Sequence, residues 1–198
     1  MTAASDIVFI EELSAAQMTA AAESLGAVLL ACVEAGASVN FILPFDLADA
    51  VSFWAEKICP GVAAGGRRLL VARSEGRIVG TVHVDLATPP NQRHRAEVSK
   101  LLVHPDSRRR GIARQLMLAI EALARAEGRS LLTLDTVTGG AAEPLYASLG
   151  YIRAGVIPGY ALAPDGGTFD ATSLMFKQLA DPAGRPAAAP RPRSCRGS

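Results

Sequence analysis

The stretch with the most chemical content runs Leu101-Leu102-Val103-His104-Pro105-Asp106-Ser107-Arg108-Arg109-Arg110-Gly111-Ile112-Ala113-Arg114. An apolar run stops at a proline, a basic turn follows, and an amphipathic run opens at a glycine. The first N–H groups of a helix lack intrahelical partners and sit at the positive end of its dipole, so a helix opening at Gly111 favours an anion there. The small residues Gly111 and Ala113 let backbone come close to it. Arg108, Arg109, Arg110 and Arg114 add guanidinium donors whose fork suits phosphate oxygens. Arginines at a helix start oppose the macrodipole and cost stability when alone, which an anion would offset. Neither GxxxxGK[ST] nor GxGxxG occurs, so this is neither a P-loop nor a dinucleotide fingerprint.

Two carboxylates and a phenol could work beside such a site. Glu97 lies on the run leading into Val103, and strict alternation puts Glu97, Ser99, Leu101 and Val103 on one face. Asp135 ends the apolar run Leu131-Leu132-Thr133-Leu134, where it either approaches a site or caps the next turn. Either carboxylate is a candidate proton acceptor. Tyr146 carries a phenol that stays protonated at neutral pH and can give its proton to a leaving anion. His83, His94 and His104 form no cluster: His83 and His94 are expected as surface or strand residues and His104 in the strand-ending turn, and no metal is expected. Phe41 and Tyr160 are candidates for lining an acceptor pocket.

These groups need a scaffold. A short strand is expected over 7–11. A helical stretch capped by Ser14 follows to about Glu34, as one helix or as two with a break near Gly26. A second helix is expected over 47–58, capped by Asp46 and ended by Pro60-Gly61. Runs 69–72 and 78–84 flank Ser74-Glu75-Gly76-Arg77 and read as a hairpin. Strands are expected over 95–103, 131–136, 151–156 and 172–178. From Gly111 to Gly128, Ile112, Leu116, Ile120, Leu123 and Ala124 share a helix face, with Gln115, Glu121 and Arg125 turned away. Pro144 suits the first turn of a short helix reaching Leu149. This order predicts an α+β domain over 1–180, with a mixed, mostly antiparallel sheet flanked by helices. The Pro/Arg-rich segment 181–198 is expected to be a disordered tail.

Composition narrows the function. The chain has 198 residues, 49% of them apolar, enough for one packed domain. Its net charge of +1 gives no electrostatic reason to expect nucleic acid or an anionic membrane as partner. Cys32, Cys59 and Cys195 show no paired spacing, and no apolar run reaches the ~18 residues of a membrane span, so a cytoplasmic location is expected.

Arg108-x-x-Gly111-x-Ala113 after a strand, with Ala142-x-x-Leu145-Tyr146-x-x-Leu149-Gly150-Tyr151, resembles the acyl-CoA motifs of the GNAT superfamily of N-acetyltransferases. The likeness covers roughly 69–179. It implies acetyl-CoA as co-substrate, held by the backbone at Leu102 and Val103 and by Arg108, Arg109, Arg110, Gly111, Ile112, Ala113 and Arg114. It also implies Tyr146 as general acid, and amides near Leu102 and Val103 that polarise a thioester. Gly139 stands where many members have asparagine. The segments 36–41 and 95–98, Leu134-Asp135-Thr136, Pro158-Gly159-Tyr160 and Pro164-Asp165-Gly166 are similar to the tabtoxin-resistance acetyltransferases. That likeness implies a related pocket and a part for Asp135 in binding or deprotonating an amine. The expected partner is a small-molecule amine, with a homodimer left open. The alternatives are a protein or peptide N-acetyltransferase and a non-catalytic acyl-CoA-binding module.

Overall fold

The computed structural model describes residues 7–179. The expected tail, and Cys195 within it, lie outside them. Seven strands form one sheet: β1 (Val8–Leu13), β2 (Arg67–Ser74), β3 (Arg77–Asp85), β4 (Arg95–Val103), β5 (Leu131–Val137), β6 (Ile152–Leu162) and β7 (Phe169–Gln178). Their order is β1-β2-β3-β4-β5-β7-β6, and every pair is antiparallel except β4–β5. On one face lie α1 (Ala15–Ala20), α2 (Ala22–Glu34), α3 (Leu47–Ser52) and α4 (Cys59–Ala63). On the other lie α5 (Ile112–Ala126) and α6 (Ala142–Ser148). The mixed, mostly antiparallel architecture is the expected one.

Both faces of the central strands are buried. On β2, Leu69 and Val71 enter the core under α1–α4, while Leu70 and Ala72 enter the core under α5 and α6. This is the two-residue period of a strand covered on both sides. Glycine makes room for one layer. A Cβ on Gly80 of β3 would stand 2.9 Å from the Leu102 carbonyl and 3.1 Å from Leu116 Cδ1, so its absence lets α5 sit close on the sheet.

The capping signals place two helix starts correctly. Ser14 and Gln17 form a capping box, and Asp46 and Asp49 form another. Other boundaries differ from expectation. The first helical stretch breaks at Ala21, not near Gly26. Gly26 instead lies inside α2, where a Cβ would meet Val51 Cγ2 at 2.8 Å, so the residue serves the α2–α3 crossing. The second stretch does not stop at Pro60-Gly61. A π-helical segment (Phe53–Ile58) follows α3, and Pro60 falls in the first turn of α4, where its missing N–H costs nothing. On α5, Glu121 does not face away: it is 2% exposed and accepts from Lys177 Nζ at 2.6 Å. Strands β6 and β7 are longer than expected because the Pro158-Gly159 stretch sits at a register shift on an edge strand, where proline breaks no ladder.

Candidate active site

The site is a gap in the sheet. β4 and β5 pair only over Arg95–Glu97 against Leu131–Thr133. Beyond that point β4 continues to Val103 alongside β3, and β5 continues to Val137 alongside β7, so the facing edges of 98–103 and 134–137 have no strand between them. A wedge therefore opens toward the strand ends that lead into α5 and toward α6.

The basic turn closes the wide end of this wedge. Arg109 and Gly111 take left-handed φ of 64° and 77°, and Gly111 is the N-cap of α5. That cap supplies no side-chain hydrogen bond, and the first turn holds no acidic residue. The N–H groups that open this 15-residue helix are thus left to an outside acceptor. Arg108, Arg109, Arg110 and Arg114 are exposed around them. Arg108 Nε donates to the Val103 carbonyl at 3.2 Å, and Arg114 donates to Ser148 Oγ at 2.7 Å, which ties α5 to α6. Leu102 and Ile112 bury their side chains in the cores, while Val103 and Ala113 are half-buried. The backbone of these four residues is therefore what remains for a ligand. The arrangement fits a pyrophosphate at the helix end and an extended arm in the wedge.

Tyr146, on α6, is 6% exposed and packs 5.7 Å from the Tyr151 ring, on the α5 side of the sheet. Burial first, then the Asp135 carboxylate, raise its pKa, because both disfavour a phenolate. Gly139, in place of the expected asparagine, has a left-handed φ of 73° and donates its N–H to Glu143 Oε2 at 2.7 Å. Ser173 Oγ and Arg153 also reach that carboxylate. The Gly139 N–H leads the groups that hold Glu143 below the usual carboxylate range.

The other face of the sheet carries the remaining polar groups. A cavity of about 230 Å³ is lined by Arg67, His83, Asp85, Arg95, Glu97 and Ser99. Glu97 accepts from Arg95 Nη1 at 3.2 Å. Asp135 is exposed two residues beyond Thr133, the register partner of Glu97, and so shares its face; it accepts from Thr172 Oγ1 at 3.3 Å. The structure thus puts Glu97 at the closed end of the wedge, paired with Thr133, and Asp135 on its β5 lip, with Tyr146 on the α5 side of the sheet. Phe41 lines a neighbouring groove and packs against Phe45 and Phe53, with ring centroids 4.5 and 5.1 Å away. Tyr160 is exposed on β6 and lines neither cavity.

One expectation fails on β4. Glu97 and Ser99 line the cavity, but Leu101 and Val103 pack into the α5-side core while Leu102 enters the opposite one. A bulge at Lys100 shifts the alternation by one residue, so the four do not share a face. His83 is a strand residue of β3, one of the two places expected for it, and it is buried. It is 4% exposed, its Nε2 lies 3.3 Å from Ser99 Oγ, and burial, then Arg67 and Lys100, depress its pKa to about 3. It is therefore neutral at physiological pH. Its alternation with Val82 and Val84 could have shown that it shares a sheet face with Asp85, but not what covers that face.

Residues 65–153 match the family model described as an acetyltransferase (GNAT) domain. Three solved structures are similar over nearly their full lengths. An N-acetyltransferase from Staphylococcus aureus Mu50 aligns at 16% identity with a TM-score of 0.71, covering 87% of this chain and 98% of its own. A ribosomal-protein-alanine N-acetyltransferase from Brucella melitensis aligns at 24% identity and 0.69, covering 86% and 99%. A Salmonella typhimurium protein solved with its cofactor acetyl-CoA aligns at 20% identity and 0.70, covering 92% and 99%. At these identities the likeness speaks to the fold.

Proposed function

We propose that this chain, whose residues 65–153 carry the acetyltransferase (GNAT) domain, is an acetyl-CoA-dependent N-acetyltransferase acting on a primary amine of a small molecule. The observation that carries the reading is the wedge between β4 and β5, ending at the uncapped, arginine-rich start of α5.

Acetyl-CoA, when bound, supplies an acetyl group activated as a thioester. The helix-opening amides and the arginines from Arg108 to Arg114 hold its phosphates, and backbone on the free edge of β4 at Leu102 and Val103 receives the acyl end. The acceptor enters from the face with Glu97 and Asp135. An alkyl ammonium has a pKa of about 10, so a carboxylate must take its proton before the nitrogen can attack. Glu97 and Asp135, exposed on the acceptor face, are the two candidates for this, directly or through water. The C–N bond forms, the C–S bond breaks, and Tyr146 gives its phenolic proton to the departing sulfur. The sheet separates the two half-sites, with the acid on one side and the carboxylates on the other, and the wedge joins them.

A small acceptor suits the mouth. The Leu43 N–H donates to the Pro164 carbonyl at 2.8 Å, so the loop between α2 and α3 is tied to the β6–β7 turn and narrows the approach that an extended peptide would need. Phe41 lines the groove beside this approach, and Tyr160, exposed on β6, is proposed as a second acceptor contact. The similarity of these segments to tabtoxin-resistance acetyltransferases supports an amino-acid-like toxin or antibiotic as acceptor.

The test is thermal unfolding with acetyl-CoA, followed by thiol release over a panel of amines. Ligand at about 100 times its dissociation constant should add about 2.7 kcal/mol. No shift at saturation, or a shift without thiol release on any amine, would remove the transfer reading. We also propose a homodimer through the β6 edge, where Ile152, Val156, Ile157 and Tyr160 are exposed. Sedimentation velocity should show a dimer that Val156→Lys dissociates; a monomeric parent would refute it.

A further inference from the structure

The acceptor face also holds a cation that the transfer chemistry does not use. Across the β3–β4 ladder Thr81 pairs with Leu102 and His83 with Ser99, so Lys100 and Leu101 together oppose Val82. Lys100 takes a left-handed φ of 53°, a strained setting for a residue with a side chain. Thr81 Oγ1 fixes the bulge by donating to the Lys100 carbonyl at 2.9 Å. Regular alternation would have turned Lys100 toward α5 with Ala96 and Val98. The bulge sends it the other way, onto the side of Glu97 and Ser99. Its Nζ lies 5.5 Å from the centroid of Phe53, in the wall of the aromatic groove.

This ammonium is half-buried, and among the described residues no carboxylate lies within 4 Å of it. Burial lowers its pKa; the charges of Asp135 and Arg67 reach it only from further away, and they oppose each other. A cation withdrawn from water and lacking a counter-ion is costly unless something arrives to pair with it. Lys100 belongs to the β4 edge of the wedge, and the Asp135 charge on the facing strand reaches its ammonium.

We propose that Lys100 binds a carboxylate of the acceptor, so that the acceptor is an amino acid or a close analogue whose amine meets Asp135 or Glu97 while its carboxylate meets Lys100. This rests on the acetyl-transfer reading and assigns the residue that selects the free carboxylate of an amino-acid-like acceptor.

The test compares α-amino acids with their carboxamides, by thiol release at saturating acetyl-CoA. The parent should favour the acids at least tenfold in kcat/KM. Lys100→Met should lower kcat/KM for the acids at least tenfold more than for the amides, and Lys100→Arg should restore the preference. The acetyl-CoA-induced melting shift should persist in both variants, which shows that they fold and load. A second readout needs no turnover: N-acetyl amino acids should bind the parent, by calorimetry, at least tenfold more tightly than N-acetyl carboxamides, and equally weakly to Lys100→Met. Amides turned over as well as acids, or an equal loss for both in Lys100→Met, would overturn the inference while leaving acetyl transfer standing. Turnover of no amine despite acetyl-CoA binding would instead overturn the transfer reading, and the inference with it.

Discussion

Tyr146→Phe should lower kcat by about 10²- to 10⁴-fold, the usual range for losing a positioned acid. The KM for acetyl-CoA should stay within a few-fold, because the ring, not the hydroxyl, makes the contact with Tyr151. Thermal unfolding should move little, since the substitution leaves the buried ring in place. Because burial and Asp135 raise the phenol above its ordinary value of 10.0, Tyr146 stays protonated throughout the neutral range. Any alkaline fall in kcat caused by its ionisation should therefore begin above pH 10. Thiol-release kinetics across pH check both statements. An unchanged kcat would move the proton donor to another group or to water.

Gly111→Glu should abolish acetyl-CoA binding without unfolding the protein. No atom lies within 4 Å of a Cβ built at Gly111, so a side chain has room. Its φ of 77° costs an L-residue roughly 1–2 kcal/mol, which a domain of this size tolerates. The new carboxylate would occupy the field of the helix opening and compete with the phosphates it is proposed to hold. A hundredfold loss of affinity would cut the ligand stabilisation from about 2.7 to about 0.4 kcal/mol at the same concentration. Gly111→Ala carries the backbone strain without the charge, so it should lose distinctly less. A Glu variant that keeps the full melting shift would place the cofactor elsewhere.

Much of this protein could be read along the chain because the signals involved are local. Ser14 and Asp46 cap the next few residues and nothing more distant. Gly111 and Gly128 bracket α5 because each needs a left-handed φ at a helix end. The turn at Glu75-Gly76, with φ of 50° and 78°, is fixed by the chemistry of two residues. The basic turn is local too, so its place at a helix start was legible, and so was the candidacy of Glu97, Asp135 and Tyr146 from residue type and position.

The remaining features depend on partners far away in the chain. Glu121 looked like a solvent-facing position on α5 until β7 brought Lys177 against it. The opening between β4 and β5 begins where their pairing stops after Glu97 and Thr133, while β3 and β7 continue to hold their outer edges, which no residue in either strand encodes alone. His83 and Glu97 come to line one cavity only through the β3–β4 register. Lys100 shows the difference most sharply. Its neighbours in sequence assign it by alternation to the α5 face, yet a cross-strand bulge turns it to the acceptor side. A helix cap or a turn is settled by interactions a few residues apart, so residue type and spacing reveal it. A register shift is settled by which ladder bonds form between separate strands, and only the assembled sheet makes that choice.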